Sequence, residues 1–225
     1  MTSIKLQVDQ KLSLRDPTST ELGQSIVEHA ILLLDELGFE AFTFRKLADR
    51  IGTTEPSIYR YFKNKQRLLL YLASWYWSWM EYRIVLATAN VDRAEERLRL
   101  ALVELTRPPV ANASLLQIDE VALYRVVVAE ASKAYLHRDV DAENREGLFR
   151  GYKRLCRAVA DIVIEVNPTY RYPLSLVSTM LESARMQLYF AEHLPSLTEV
   201  NRAAADLPTT EFLTELVFRA IMREP

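Results

Sequence analysis

Between Thr43 and Arg67 the chain carries seven basic side chains, Arg45, Lys46, Arg50, Arg60, Lys63, Lys65 and Arg67, against only Asp49 and Glu55. That local excess of +5 sits in a chain of formal charge −2, so the remaining residues carry −7. Cations interleaved with Tyr59 and Tyr61 attract phosphate and can hydrogen-bond it. A basic footprint confined to one segment marks a polyanion-binding face that whole-chain statistics hide. Other chemistries find less material. His29, His137 and His193 are too widely spaced for a local ligand motif, and the single Cys156 excludes an intramolecular disulfide or a cysteine metal cluster. The five glycines form no phosphate-cradling loop and no nucleophile elbow. No catalytic residue, metal or cofactor is therefore expected, and the chain reads as non-enzymatic.

The elements that must hold these side chains follow from residue spacing. Pro17 and a Thr18-to-Glu21 capping-box spacing open a first helix, which carries Ile26, Ala30, Leu33 and Leu37 on one face and ends at a left-handed Gly38. Thr43 caps a short second helix, Phe44 to Ile51, with Leu47, Ala48 and Ile51 inward and Gly52 after it. Thr54 caps a third, Glu55 to Phe62, with Pro56 in its first turn, where a missing N–H costs little. Ile58 and Phe62 form its apolar i, i+4 pair. Two short helices across a glycine turn are a helix-turn-helix, in which the second lies in the major groove with its N-terminal residues on base edges. Asn64 caps a long fourth helix.

Roles within the motif follow from which faces remain. Tyr59, Arg60 and Tyr61 cannot all point inward if Ile58 and Phe62 do, so Tyr59 and Tyr61 are expected at phosphate or sugar, with packing against the first or fourth helix as the alternative. Ser57 and Arg60 are candidates for base edges. Thr43 and its helix N-terminus can meet a phosphate as well as cap. Lys65 opposes the dipole of the fourth helix from its first turn, which points to a phosphate contact. Glu55 either accepts from cytosine N4 or stabilises the N-terminus of its own helix.

Composition supports an all-α fold of about nine helices, because helix formers abound and tight-turn residues are scarce. Helical breaks are expected near Asn90 to Asp92, Pro108-Pro109, Asp139 to Asp141, Asn167-Pro168, Pro195 and Pro208. The expected division is an arm at 1–17, a helix-turn-helix DNA-binding domain at 18–66 and a C-terminal helical domain at 67–225. The arm lacks the uninterrupted apolar stretch of a signal peptide and is read as partly disordered. The most apolar run, Leu68 to Met80, is 13 residues long and is read as a buried helix with no membrane partner. The lone cysteine suits a reducing cytoplasm.

Ile26 to Phe39, then Thr43-x-Arg45-x-Leu47-Ala48 through Gly52, then Ile58-Tyr59-x-Tyr61-Phe62-x-x-Lys65 resemble the N-terminal domain of the tetracycline repressor (TetR/AcrR) family over about 45 of 225 residues. Glu55-Pro56 departs from the commonest family pattern, although a proline there is similar to the tetracycline repressors proper. The resemblance implies a homodimeric transcriptional regulator, usually a repressor, released from a palindromic operator in double-stranded DNA by a small-molecule effector. It places Arg45 where some members reach a guanine, a contact that Arg makes bidentately to O6 and N7, with a phosphate contact as the alternative. The family's effector cavity lies among the middle helices, so Trp79, Tyr82, Tyr124, Tyr152 and Tyr189 become candidates for a pocket taking a fairly apolar ligand, with Arg125 or Glu130 as a polar anchor. The family's dimer is built by its last two helices. Leu174, Val177, Leu181, Ala184 and Leu188, with Phe212, Leu213, Leu216, Val217 and Ala220, are the matching apolar sets here, intramolecular core being the other use for them. A helical interaction protein, or a regulator without a small-molecule effector, is the alternative reading.

Overall fold

In the computed structural model, residues 9–109, 118–200 and 208–222 are described. Among these there are ten α-helices and no strand. They are α1 (Glu21–Ala41), α2 (Phe44–Ile51), α3 (Glu55–Tyr59), α4 (Lys65–Thr88), α5 (Ala94–Thr106), α6 (Glu120–Glu130), α7 (Val140–Glu146), α8 (Arg150–Val166), α9 (Pro173–His193) and α10 (Pro208–Ile221). Two compact units result, one from Met1–Ser78 with Pro108–Gly151 and one from Trp79–Arg107 with Tyr152–Pro225. Residues 18–66 lie wholly in the first unit, together with α6, α7 and the start of α4.

The entry to α1 is built two residues later than the capping-box spacing predicts. Asp16 Oδ1 accepts from the Thr18 N–H at 2.9 Å and the Thr18 hydroxyl at 2.7 Å, closing a 3-10 turn over Pro17–Ser19. Thr20 is then the true N-cap, its hydroxyl accepting from Gly23 N–H at 3.1 Å. Gly23 is required by this turn, because a Cβ there would lie 2.3 Å from the Pro17 carbonyl oxygen. Gly38 has the expected positive φ of 71°, but it kinks α1, and one further turn follows. The Phe39 N–H exposed by that kink donates to the buried Glu130 Oε1 at 3.0 Å. Further back along α6, the exposed Arg125 reaches Asp35 at 2.8 Å. Both candidate ligand anchors are thus committed to α1.

Of the arm read as partly disordered, residues 9–16 are packed against the chain, while residues 1–8 lie outside the described residues. Leu12 is fully buried, Leu14 N–H donates to the Tyr61 carbonyl at 2.7 Å, and Lys11 Nζ donates to the Glu146 carbonyl at 3.2 Å. Asp9 lies 3.6 Å from Arg150. Residues 9–16 form a strap on the first unit.

In the second unit α5, α9 and α10 pack on one another. Ion pairs Arg83–Glu104, Arg97–Glu165 and Arg154–Glu81 join its helices, and Thr106 and Thr210 share a buried hydroxyl contact. Burial pushes the Cys156 thiol up to about 11. No described helix is long and apolar enough to cross a membrane. Gly23→Ala is expected to lower stability by about 1 to 3 kcal/mol, read from the urea midpoint, because the Pro17 backbone must shift.

Candidate nucleic-acid interface

The helix-turn-helix forms from local signals and is locked by non-local ones. Thr43 caps α2, its hydroxyl accepting from Lys46 N–H at 3.2 Å, and Gly52 ends it at φ 66°. Leu47, Ala48 and Ile58 are buried between the two helices and α1. Phe44 meets Phe42 edge-on at 6.3 Å and Tyr59 at 5.0 Å between ring centroids. That contact holds Tyr59 in place while leaving it 48% exposed. α3 is shorter than expected, five residues ending at Tyr59 instead of Phe62. Beyond it the chain turns, the N–H groups of Tyr61 and Phe62 both donating to the Ile58 carbonyl at 2.8 and 3.1 Å, and both side chains are buried.

Tyr61 is accordingly corrected from a phosphate contact to a core residue. It is 1% exposed, its hydroxyl lies 2.7 Å from Thr20 Oγ1, and its carbonyl accepts from Leu14. Lys65 is also corrected. Its ammonium donates to the carbonyls of Phe39 at 2.9 Å, Glu40 at 3.2 Å and Phe42 at 3.4 Å, so its three donors cap the end of α1. The penalty of a cation in the first turn of α4 is offset by its place at the C-terminus of another helix. Thr54 makes no side-chain cap; its hydroxyl pairs with Ser57 at 3.0 Å. Pro56 and Arg60 are exposed, and Glu55 is half-buried in the first turn of α3.

The basic residues sort into engaged and disengaged. Arg50 makes a twin hydrogen bond to Glu36 at 2.9 and 3.1 Å, which raises its pKa further and neutralises it in place. Arg67 lies 3.6 Å from Glu143 and 3.7 Å from Glu146. Lys46 donates to the Ala41 carbonyl at 2.9 Å. Arg45, Arg60 and Lys63 are exposed and have no ion-pair or hydrogen-bond partner among the described residues. Lys63 was absent from the sequence-predicted site although it was counted in the charge excess that could have found it. The pairing of Arg50 with Glu36 had no sequence signal, because the two lie on different helices.

The five pocket candidates fall in both units. Tyr124, buried beside Tyr76, belongs to the first unit, and the other four belong to the second. Trp79 is buried with Arg83 over its ring at 4.7 Å, the Tyr152 hydroxyl donates to Glu182 at 3.2 Å, and Tyr189 lies against His193. Tyr82 is half-buried on α4. An open depression of about 550 Å³ runs along α9 past Ser178, Glu182, Ser183, Met186, Gln187 and Phe190, and none of the five lines it. The interface candidates divide. Val177, Ala184, Leu213 and Val217 are core of the second unit, which corrects their assignment, while Leu174, Phe212 and Leu216 are 41 to 45% exposed. Leu181, Leu188 and Ala220 are partly covered. Among the described residues no group of three or more His, Cys, Asp or Glu side chains is placed to hold a metal ion.

Residues 26–72 match the family described as bacterial regulatory proteins, tetR family. Tetracycline repressor protein class C from Escherichia coli is 42% identical over 50 residues, 22% of this chain and 23% of that protein. The chain therefore matches about a quarter of the length of such curated relatives. A transcriptional regulator of the TetR/AcrR family from Thermobifida fusca shares the fold at a TM-score of 0.55 and 22% identity, covering 88% of this chain and 97% of that one. AibR, solved with isovaleryl coenzyme A and operator DNA, shares it at 0.56 and 13% identity, covering 88% and 97%. Helix-turn-helix and fold together define an all-helical protein with an N-terminal DNA-binding-type domain. The tetR-family likeness is carried by residues 26–72, and the likeness of fold extends over most of the chain.

Lys65→Met is expected to cost about 1 to 3 kcal/mol of stability in urea unfolding, because three carbonyls lose a charged donor. The salt dependence of DNA binding should stay unchanged.

Proposed function

We propose that the protein binds a palindromic operator in double-stranded DNA as a homodimer and acts in the cytoplasm as a non-enzymatic transcriptional repressor. The observation that carries this reading is the set of exposed, disengaged cations Arg45 at the start of α2 and Arg60 and Lys63 just after α3, with Tyr59 held against Phe44 between them in sequence. Arg45, at the start of α2, is assigned a bidentate guanine contact. Ser57 and Arg60 are assigned to base edges, Thr54 and Pro56 at the start of α3 belong to the DNA-binding face, and Thr43 and Tyr59 meet phosphate or sugar. Glu55 accepts from cytosine N4 or stabilises its own helix. AibR's crystallisation with operator DNA supports the same use of the shared fold.

Twofold operators require two copies, and the exposed Leu174, Phe212 and Leu216 on α9 and α10 supply an apolar face for a second copy. Release by a small, fairly apolar effector completes the reading, supported by AibR's complex with isovaleryl coenzyme A. A regulator without such an effector is the second reading.

Selection of genomic fragments by the purified protein should enrich one palindrome, with affinity that falls steeply as salt rises. Salt-insensitive or absent enrichment would remove the reading. Arg45→Ala should cost about 1 to 3 kcal/mol and relax preference at one base pair per half-site. Leu216→Glu should convert dimers to monomers in sedimentation and weaken operator binding with them.

A further inference from the structure

Resting on the DNA-binding reading above, we propose that the N-terminal strap is part of the nucleic-acid face and that Arg15 makes a phosphate contact outside the helix-turn-helix. Arg15 is exposed, and its guanidinium sits over the ring of Tyr61, 5.5 Å from the centroid. Tyr61 lies two residues beyond α3 and two before Lys63, so this cation stands at the C-terminal end of the helix that presents Tyr59 and Arg60.

The placement is held from both sides. Leu12 is buried without residual exposure, and Leu14 N–H donates to the Tyr61 carbonyl at 2.7 Å, one residue before Arg15. On the far side Asp16 Oδ1 is occupied by the Thr18 N–H and hydroxyl, at 2.9 and 2.7 Å. Arg15 makes no ion pair among the described residues, whereas Arg50, Arg67, Arg125 and Arg150 of the same unit each lie against a carboxylate. A cation kept over an aromatic ring on a pinned backbone loses little freedom when it binds. Leu14, 67% exposed beside it, lends no competing charge. The ligand chemistry is a phosphodiester of the same duplex, which adds affinity and register without sequence information.

The test uses the full-length protein and a labelled duplex carrying the selected palindrome, with anisotropy titrations from about 50 to about 300 mM KCl. Arg15→Ala should flatten the slope of log affinity against log salt by about 0.9 per protomer and weaken binding roughly eight-fold per contact at about 0.1 M salt. Arg15→Lys should keep the slope. Arg15→Gln should reproduce the alanine result and stands in for it if the alanine variant unfolds. Affinity and slope equal to wild type would overturn the proposal. So would weaker binding at an unchanged slope, because the strap would then act only through the packing of Tyr61. In either case an intact loss with Arg45→Ala would leave the helix-turn-helix reading standing, while a wild-type protein indifferent to the duplex would sink both.

Discussion

A buried hydroxyl needs a partner, and the hydroxyl of Tyr61 finds one in Thr20, the residue that caps α1. The Tyr61 carbonyl accepts from Leu14 in the strap, while Phe62 packs next to it against Tyr71 of α4. Four stretches of chain therefore meet at one corner. α3 is only five residues long, far too short to be helical by itself, so its orientation is inherited from the burial of Ile58, Tyr61 and Phe62. Everything the surface of α3 can do depends on this corner staying closed. Lys65 braces it from the other side by holding the carbonyls at the end of α1.

Charge on this surface is distributed by neighbours more than by number. Seven cations occupy residues 43–67, yet those beside carboxylates or carbonyl clusters already have their interaction. Arg50 and Glu36 are both exposed, so their pair adds little stability, but it withdraws one cation from the field offered to a ligand. Arg45, Arg60 and Lys63 keep theirs. At the neighbouring corner Lys133 bridges Glu130 and Glu40, and its hydrogen bond to Glu130 raises its pKa and keeps it charged beside the buried carboxylate that receives Phe39 N–H. The Glu130 carboxylate is held by the Phe39 N–H at one oxygen and the Lys133 ammonium at the other, which gives the kink a defined geometry.

The second unit shows the same selectivity with apolar residues. α9 and α10 each carry an apolar stripe wider than their neighbours can cover. Val177, Met180, Ala184, Leu213 and Val217 close the core, while Leu174, Phe212 and Leu216 stay in water. Burying those three against a second copy would recover roughly 25 cal/mol for each Å² of apolar surface removed from water.

Local rules decided much of this protein at the level of sequence. Helical content, the Thr43 cap, the positive φ of Gly38 and Gly52, the Asn64 cap of α4 and the family pattern all rest on residues within a turn or two of one another, where backbone hydrogen bonding and Cβ sterics act alone. The burial of Tyr61 and the engagement of Lys65 and Arg50 depend on partners fourteen to forty-seven residues away. The split of the interface residues into core and surface also follows from which helices become neighbours. A side chain's type states what it can bond. Only the folded chain supplies the partner, because hydrogen bonds and ion pairs act over a few ångströms and spacing along the sequence does not fix distance in space.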